Sequence, residues 1–165
     1  LDAELARESA EEVDLEKLAI AMVGIQRDMA AEREVDVVMA KRAGRGSSII
    51  QGQESRLAQV FSNLIDNAVS FSPPGSTVEV AVATEGDTIT VTVTDEGPGI
   101  TGDVGRIFQR FYTDRPEIEN FGNHSGLGLS ISKQIIDAHK GTIRARNRTD
   151  RSGAVFTIVL PRLRK

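Results

Sequence analysis

An acid and two glycines close one strongly alternating stretch. The run Thr94-Asp95-Glu96-Gly97-Pro98-Gly99-Ile100 follows Thr88-Ile89-Thr90-Val91-Thr92-Val93. A carboxylate at the mouth of such a turn can accept a hydrogen bond from an exocyclic amine. Glycine reaches left-handed conformations that cost other residues roughly 1–2 kcal/mol, and without a Cβ it lets a flat ligand lie against the main chain. An ordinary strand-ending turn would carry the same short motif, so the rest of the chain has to decide its meaning.

Three other groups could do chemistry. Asn63 and Asn67 stand four residues apart, on one face if the segment is helical. Asparagine is an indifferent helix former, so a stripe of two needs either a reason or a plain solvated face. Gly122-Asn123-His124-Ser125-Gly126-Leu127-Gly128-Leu129 runs into an aliphatic periodic segment. A glycine-rich loop at a helix N-terminus exposes unpaired N–H groups and the positive end of the helix dipole, which suits a polyphosphate. It is not a P-loop, because no Gly-Lys-Ser/Thr follows, and no parallel strand precedes it. Between the two glycine segments lies Ile107-Phe108-Gln109-Arg110-Phe111-Tyr112. Arg110 has a planar fork of donors that could reach a phosphate, or it could be incidental to a short buried helix.

The elements that must position these residues are legible as patterns. Leu57, Val60, Phe61, Leu64, Ile65 and Ala68 recur at spacings of three and four, predicting a helix over 54–71 with Gln59, Asn63, Asp66, Asn67 and Ser70 on its other face. The Ser72-Pro73-Pro74-Gly75 turn ends it. Runs 77–84 and 88–94 read as a β-hairpin that feeds the Asp95 motif. Asp14 is expected to cap an earlier helix whose apolar face is Leu15, Leu18, Ala19, Met22, Val23, Ile25 and Met29. Runs 35–39 and 48–51, either side of Gly44-Arg45-Gly46, read as a pair of strands. A helix from Leu129 through Ala138 and a strand pair, 142–147 and 154–160, complete the chain, with Pro161 expected to stop the sheet. The stretch 101–125 has no clear period and reads as a mobile lid, docked by Phe108, Phe111 and Tyr112. Residues 1–12 look like the frayed end of a preceding helix and a linker.

The 165 residues fit one main unit, with enough chain to bury a core. There is no cysteine, so disulfides, thiol chemistry and cysteine zinc sites are excluded. With 20 basic and 24 acidic residues intermixed and a net charge of −4, no broad nucleic-acid surface is expected. No apolar run approaches the roughly 20 residues of a membrane span.

Taken in order, five segments resemble a known family. Asn63-Leu64-Ile65-Asp66-Asn67-Ala68, Asp95-Glu96-Gly97-Pro98-Gly99-Ile100, Ile107-Phe108-Gln109-Arg110-Phe111, Gly126-Leu127-Gly128-Leu129 and Gly153-Ala154-Val155-Phe156 are together similar to the catalytic ATP-binding domain of sensor histidine kinases. The likeness covers 13–160, and the run from Phe121 to Gly126 is most like the ChvG branch. The fold it implies is α+β: the two-layer Bergerat sandwich, a mixed, mostly antiparallel sheet with helices on one face and a mobile ATP lid. ATP and Mg²⁺ are the implied cofactors. By resemblance Asp95 accepts from the adenine amine, Gly97, Gly99 and Ile100 shape that pocket, and Asn67 is the metal ligand. Asn63 and Arg110 carry the catalytic roles toward the phosphates. Tyr112, Ser125, Gly126, Leu127, Gly128 and Leu129 complete the nucleotide contacts. Residues 1–12 would end a dimerisation helix and 13–165 would be the catalytic domain, monomeric alone but part of a homodimer. Its partners would be the phosphoacceptor domain of the same protein and a response regulator. Its place would be the cytoplasmic side of a membrane-anchored bacterial sensor.

There are departures. Ser70 stands where many relatives carry a phosphate-directed lysine, which shifts charge neutralisation to Arg110, Arg115, His124 or the metal, and Glu96 stands where asparagine is common. The histidines, His124 and His139, lie in the glycine loop and near a helix end, so the acceptor histidine is expected elsewhere. ATPases of the same fold use a glutamate one turn before the metal-binding asparagine to activate water. Asn63 occupies that position and cannot act as a base. A degenerate, non-catalytic module is the remaining alternative, disfavoured by the intact Asn67, Asp95 and glycines.

Overall fold

The computed structural model describes residues 10–102, 104–109 and 128–163. Its elements run in chain order as β1 (Glu11–Asp14), α1 (Leu15–Ala31), β2 (Asp36–Met39), β3 (Ile49–Gly52), α2 (Glu54–Phe71), β4 (Thr77–Glu85), β5 (Thr88–Thr94), a 3₁₀ turn (Val104–Phe108), α3 (Gly128–Ala138), β6 (Thr142–Asn147) and β7 (Ala154–Pro161). The five-stranded sheet has the order β2-β4-β5-β7-β6. β2 runs parallel to β4, and the other pairings are antiparallel. One face of the sheet presents Val37, Val78, Val80, Val82, Ile89, Val91, Val93, Phe156, Ile158 and Leu160, all buried under the helices. The other face is lined by half-buried threonines such as Thr90, Thr92 and Thr157. This is the expected two-layer α/β sandwich, and the period-2 alternation of β5 is its clearest sequence signature.

α2 spans the residues its periodicity predicts, and it lies at the centre of the helical layer against both α1 and α3. α1 is capped as expected. Asp14 Oδ1 accepts from the Glu16 and Lys17 N–H groups at 3.1 and 3.3 Å and from the Ser48 hydroxyl at 2.6 Å. Its buried face differs from the expected one, because Ile25 and Met29 are each 57% exposed while Gln26 is buried. The line Ala19-Val23-Ala30 faces the core, and Ile25 and Met29 lie roughly 100–140° round the helix from it. Gln26 goes inside because its amide donates to Ser62 Oγ on α2 at 3.2 Å.

The runs at 35–39 and 48–51 are strands, but they do not pair with each other. After β2 the chain continues along β4, with Ala40 and Ala43 N–H donating to Val80 and Val82. It leaves through Gly44 and Gly46, both at positive φ, and a Cβ on Gly44 would stand 2.1 Å from Thr84 O. β3 then joins β1 in a separate two-stranded sheet, Val13 opposite Ile50. Glu11 and Glu12, expected in a linker, are therefore strand residues. The sheet ends at Pro161, which is itself the last residue of β7, opposite Thr88, one residue beyond the expected strand.

Candidate functional site

The polar stripe of α2 is half-buried rather than solvated: Gln59, Asn63, Asp66, Asn67 and Ser70 are all partly covered. At one end of it Asn63 Nδ2 donates to Gly128 O and to Ser132 Oγ, both at 3.2 Å. This joins the stripe to the first turn of α3, where Ser132 is wholly buried and Leu129 packs on the core. Asn67, one turn further on, makes no side-chain hydrogen bond among the described residues. Ser70, in the last turn of the helix, donates its hydroxyl back to Asn67 O at 3.1 Å.

At the far end of α2, Gly97 lies against Phe71. A Cβ there would stand 2.7 Å from Phe71 O, so only glycine permits this approach. Asn63 to Phe71 is eight residues of helix, roughly 12 Å. One helix therefore touches both glycine segments.

Asp95 is 3% exposed. Its Oδ1 accepts from Gly97 N–H at 2.9 Å and from Ala154 N–H at 3.0 Å, and its own N–H donates to Ala154 O at 3.0 Å. The carboxylate is thus fixed between its own turn and β7. Gly99 is at φ +85°. Ile100 packs partly on the core, and its N–H donates to Asn147 Oδ1. Glu96 is not an idle replacement. Its Oε2 accepts from Thr77 N–H at 2.6 Å and its Oε1 pairs with Arg151 at 3.3 Å, tying the turn to the start of β4.

The residues that sequence reasoning missed lie between β6 and β7. Arg148 Nη1 donates to Asp95 O at 3.0 Å, and Ser152 Oγ to Gly97 O at 2.6 Å. Gly153 packs so closely that a Cβ would stand 2.1 Å from Asp95 O. The hydrogen bond between Arg148 and Asp150 raises the arginine's pKa and lowers the aspartate's, and it orients the guanidinium beside the Asp95 carbonyl. The signal in the sequence was the turn 150–153, but no periodicity says which loop a turn will meet.

Of the expected site residues, Asp95, Gly97, Gly99 and Ile100 thus lie together on the turn after β5, and Asn63, Asn67, Gly128 and Leu129 on α2 and the start of α3. Arg110, Phe111, Tyr112, Arg115, His124, Ser125, Gly126 and Leu127 lie outside the described residues. Of the lid's expected anchors, Phe108 is described and stacks edge-on to Phe156, ring centres 6.2 Å apart. No group of three or more acidic, histidine or cysteine residues able to hold a metal occurs among the described residues. A magnesium ion in this site would depend on Asn67, its waters and the phosphates. The half-buried amide fits that demand, offering a hard, neutral oxygen.

Residues 52–164 match the model of the family described as histidine kinase-, DNA gyrase B-, and HSP90-like ATPase. The sensor protein ChvG of Rhizobium meliloti (strain 1021) is 47% identical, over 98% of this chain but only 30% of its own length. Among solved structures, the mycobacterial sensor histidine kinase MprB is 28% identical with a TM-score of 0.73, over 92% of this chain and 97% of that one. Full-length ShkA, solved in complex with AMPPNP, is 27% identical with a TM-score of 0.78, over 97% of this chain and 33% of that one.

Proposed function

We infer that this chain, which belongs to the histidine kinase-, DNA gyrase B- and HSP90-like ATPase family, is the ATP-binding catalytic domain of a sensor histidine kinase. It donates the γ-phosphate of ATP to a histidine on a separate dimerisation domain. The observation that carries this reading is the placing of α2, which meets the first turn of α3 through Asn63 and the Asp95 turn through the backbone of its last residue, Phe71. Adenine would sit against Gly97 and Gly99 with its amine on the Asp95 carboxylate. The phosphates would lie toward α3, where the helix N-terminus favours negative charge. Asn67 would hold Mg²⁺, which when bound neutralises the phosphates. Phosphoryl transfer is mostly positioning and charge stabilisation, so a site of this kind can be the donor half of the reaction.

Two features weigh against an ATPase. Asn63 cannot take a proton from water, and its Nδ2 already donates to Gly128 O and Ser132 Oγ. The partners we propose are the phosphoacceptor domain and a response regulator, with the whole acting on the cytoplasmic side of a membrane-anchored homodimer. No helix among the described residues is long and apolar enough to cross a membrane.

Calorimetry with ATP, with and without Mg²⁺, and labelled ATP mixed with the histidine-bearing domain of the same protein test the reading. The chain should bind nucleotide and label the added domain. Asn67→Ala should abolish chiefly the Mg²⁺-dependent part of binding, and Arg110→Ala should reduce transfer more than binding. Absence of nucleotide binding at millimolar concentration would end the proposal.

A further inference from the structure

We propose that Asn147 is a positioning residue for the nucleotide, holding Ile100 so that the Gly97-Pro98-Gly99 turn keeps the shape a purine can lie against; this role rests on the nucleotide-binding reading above. Asn147 is the last residue of β6, on the edge of the sheet, and it is exposed. Burial therefore does not explain how its amide is used. Oδ1 accepts from Ile100 N–H at 2.6 Å and Nδ2 donates to Ile100 O at 3.0 Å. Both ends of one amide are spent on the two backbone groups of one residue, as a neighbouring strand would spend them. Few side chains can do this. Aspartate has the reach but no donor, and serine has a single group.

The residue next to the clamp requires it. Gly99 sits at φ +85°, and a Cβ on it would stand 2.8 Å from Asn147 Oδ1. The glycine and the asparagine thus fit each other. The start of the turn is gripped separately, through Asp95 O by Arg148 and Gly97 O by Ser152. Asn147 grips its end, the point from which the chain departs toward Arg110. If that end loosens, Gly99 is free to leave the left-handed region and the flat surface between Gly97 and Gly99 is lost. The defect should then fall on the base end of the nucleotide and not on the phosphates.

The test compares the whole chain with Asn147→Ala and Asn147→Asp. Hydrogen exchange at the Ile100 amide is followed by NMR without nucleotide, and ADP affinity is measured by calorimetry with and without Mg²⁺. Asn147→Ala should lose protection at Ile100 and bind ADP about 10-fold more weakly, the scale of one or two neutral hydrogen bonds, by the same factor with and without the metal. Asn147→Asp keeps the acceptor but sets an oxygen against Ile100 O in place of the donor, so it should not restore wild-type protection or affinity. Arg162→Ala serves as the control. It removes tethers to the backbone of Ser47, Gly86 and Arg45, so it should lower the melting temperature and leave Ile100 exchange and ADP affinity unchanged. An Ile100 amide indifferent to residue 147 would overturn the clamp alone, as would a loss of affinity seen only with Mg²⁺. Wild-type protein that fails to bind ADP would overturn the nucleotide reading, and this role with it.

Discussion

Asp95 has a structural task as well as a proposed recognition task, and the two can be separated by choice of substitution. Alanine removes the acceptor of two N–H groups, Gly97 and Ala154, in a buried place. Each buried donor left unpaired costs about 1–3 kcal/mol. Asp95→Ala should therefore lower stability in urea denaturation as well as nucleotide affinity. Asp95→Asn can keep the Oδ1 bonds, so it should cost less stability than alanine while ATP affinity falls about 10- to 100-fold in calorimetry. Equal affinity in wild type and Asp95→Asn would show that the carboxylate does not receive the base. The sequence announced Asp95, Gly97, Gly99, Asn63 and Asn67, because residue type and spacing alone make them unusual. It did not announce Arg148, Ser152 or Asn147, whose importance comes from partners 47 to 55 residues away. Nor did it announce that Asn63 would reach α3, a contact between residues 65 apart in the chain.

Caps, alternation and the 3.6-residue period are local signals, and the elements that rest on them match the sequence reading. α2, the β4–β5 hairpin and β6–β7 are of this kind. β3 could not be paired correctly because two short strands near a glycine turn look like a hairpin whatever their true neighbours. The exposed Ile25 and Met29 show the same limit for α1: an apolar stripe says that a face is apolar, not how far the core extends beneath it. The cap of α1 offers a test at this scale. Burial alone would raise the Asp14 pKa, but the hydrogen bonds from Ser48 and from Lys17 and Glu16 outweigh it and hold it below the ordinary carboxylate value. A lowered folded-state pKa gives stability that is present above the unfolded value of about 4 and lost as pH falls through the folded value. Asp14→Ala should cost about 1 kcal/mol at neutral pH. Thermal melts of the two proteins should converge as pH drops below about 4, and a constant gap down to pH 2 would refute the assignment.

At the scale of the whole molecule, the described histidine is committed to the scaffold. His139 Nε2 accepts from Gln53 N–H at 3.0 Å while Nδ1 lies 2.8 Å from Ile135 O, which ties the end of α3 to the start of α2. A ring held at both nitrogens is a poor phosphate acceptor, so His139 should acquire no acid-labile label when the chain is incubated alone with labelled ATP. Stable label on His139 would contradict this. The strand order carries a further consequence, for biosynthesis. β7 is the last described strand in the chain, yet it lies inside the sheet between β5 and β6. On the ribosome β5 emerges roughly 60 residues before its partner begins, about 3–12 s of translation. Throughout that interval an alternating Thr-Ile-Thr-Val-Thr-Val-Thr strand has one open edge, the arrangement most prone to mispairing with another nascent chain. The Asp95 carboxylate meanwhile waits for the Ala154 N–H. A chain cut after Asp150 should aggregate rather than fold into a smaller domain, and the nucleotide site should therefore form only after β7 has been made.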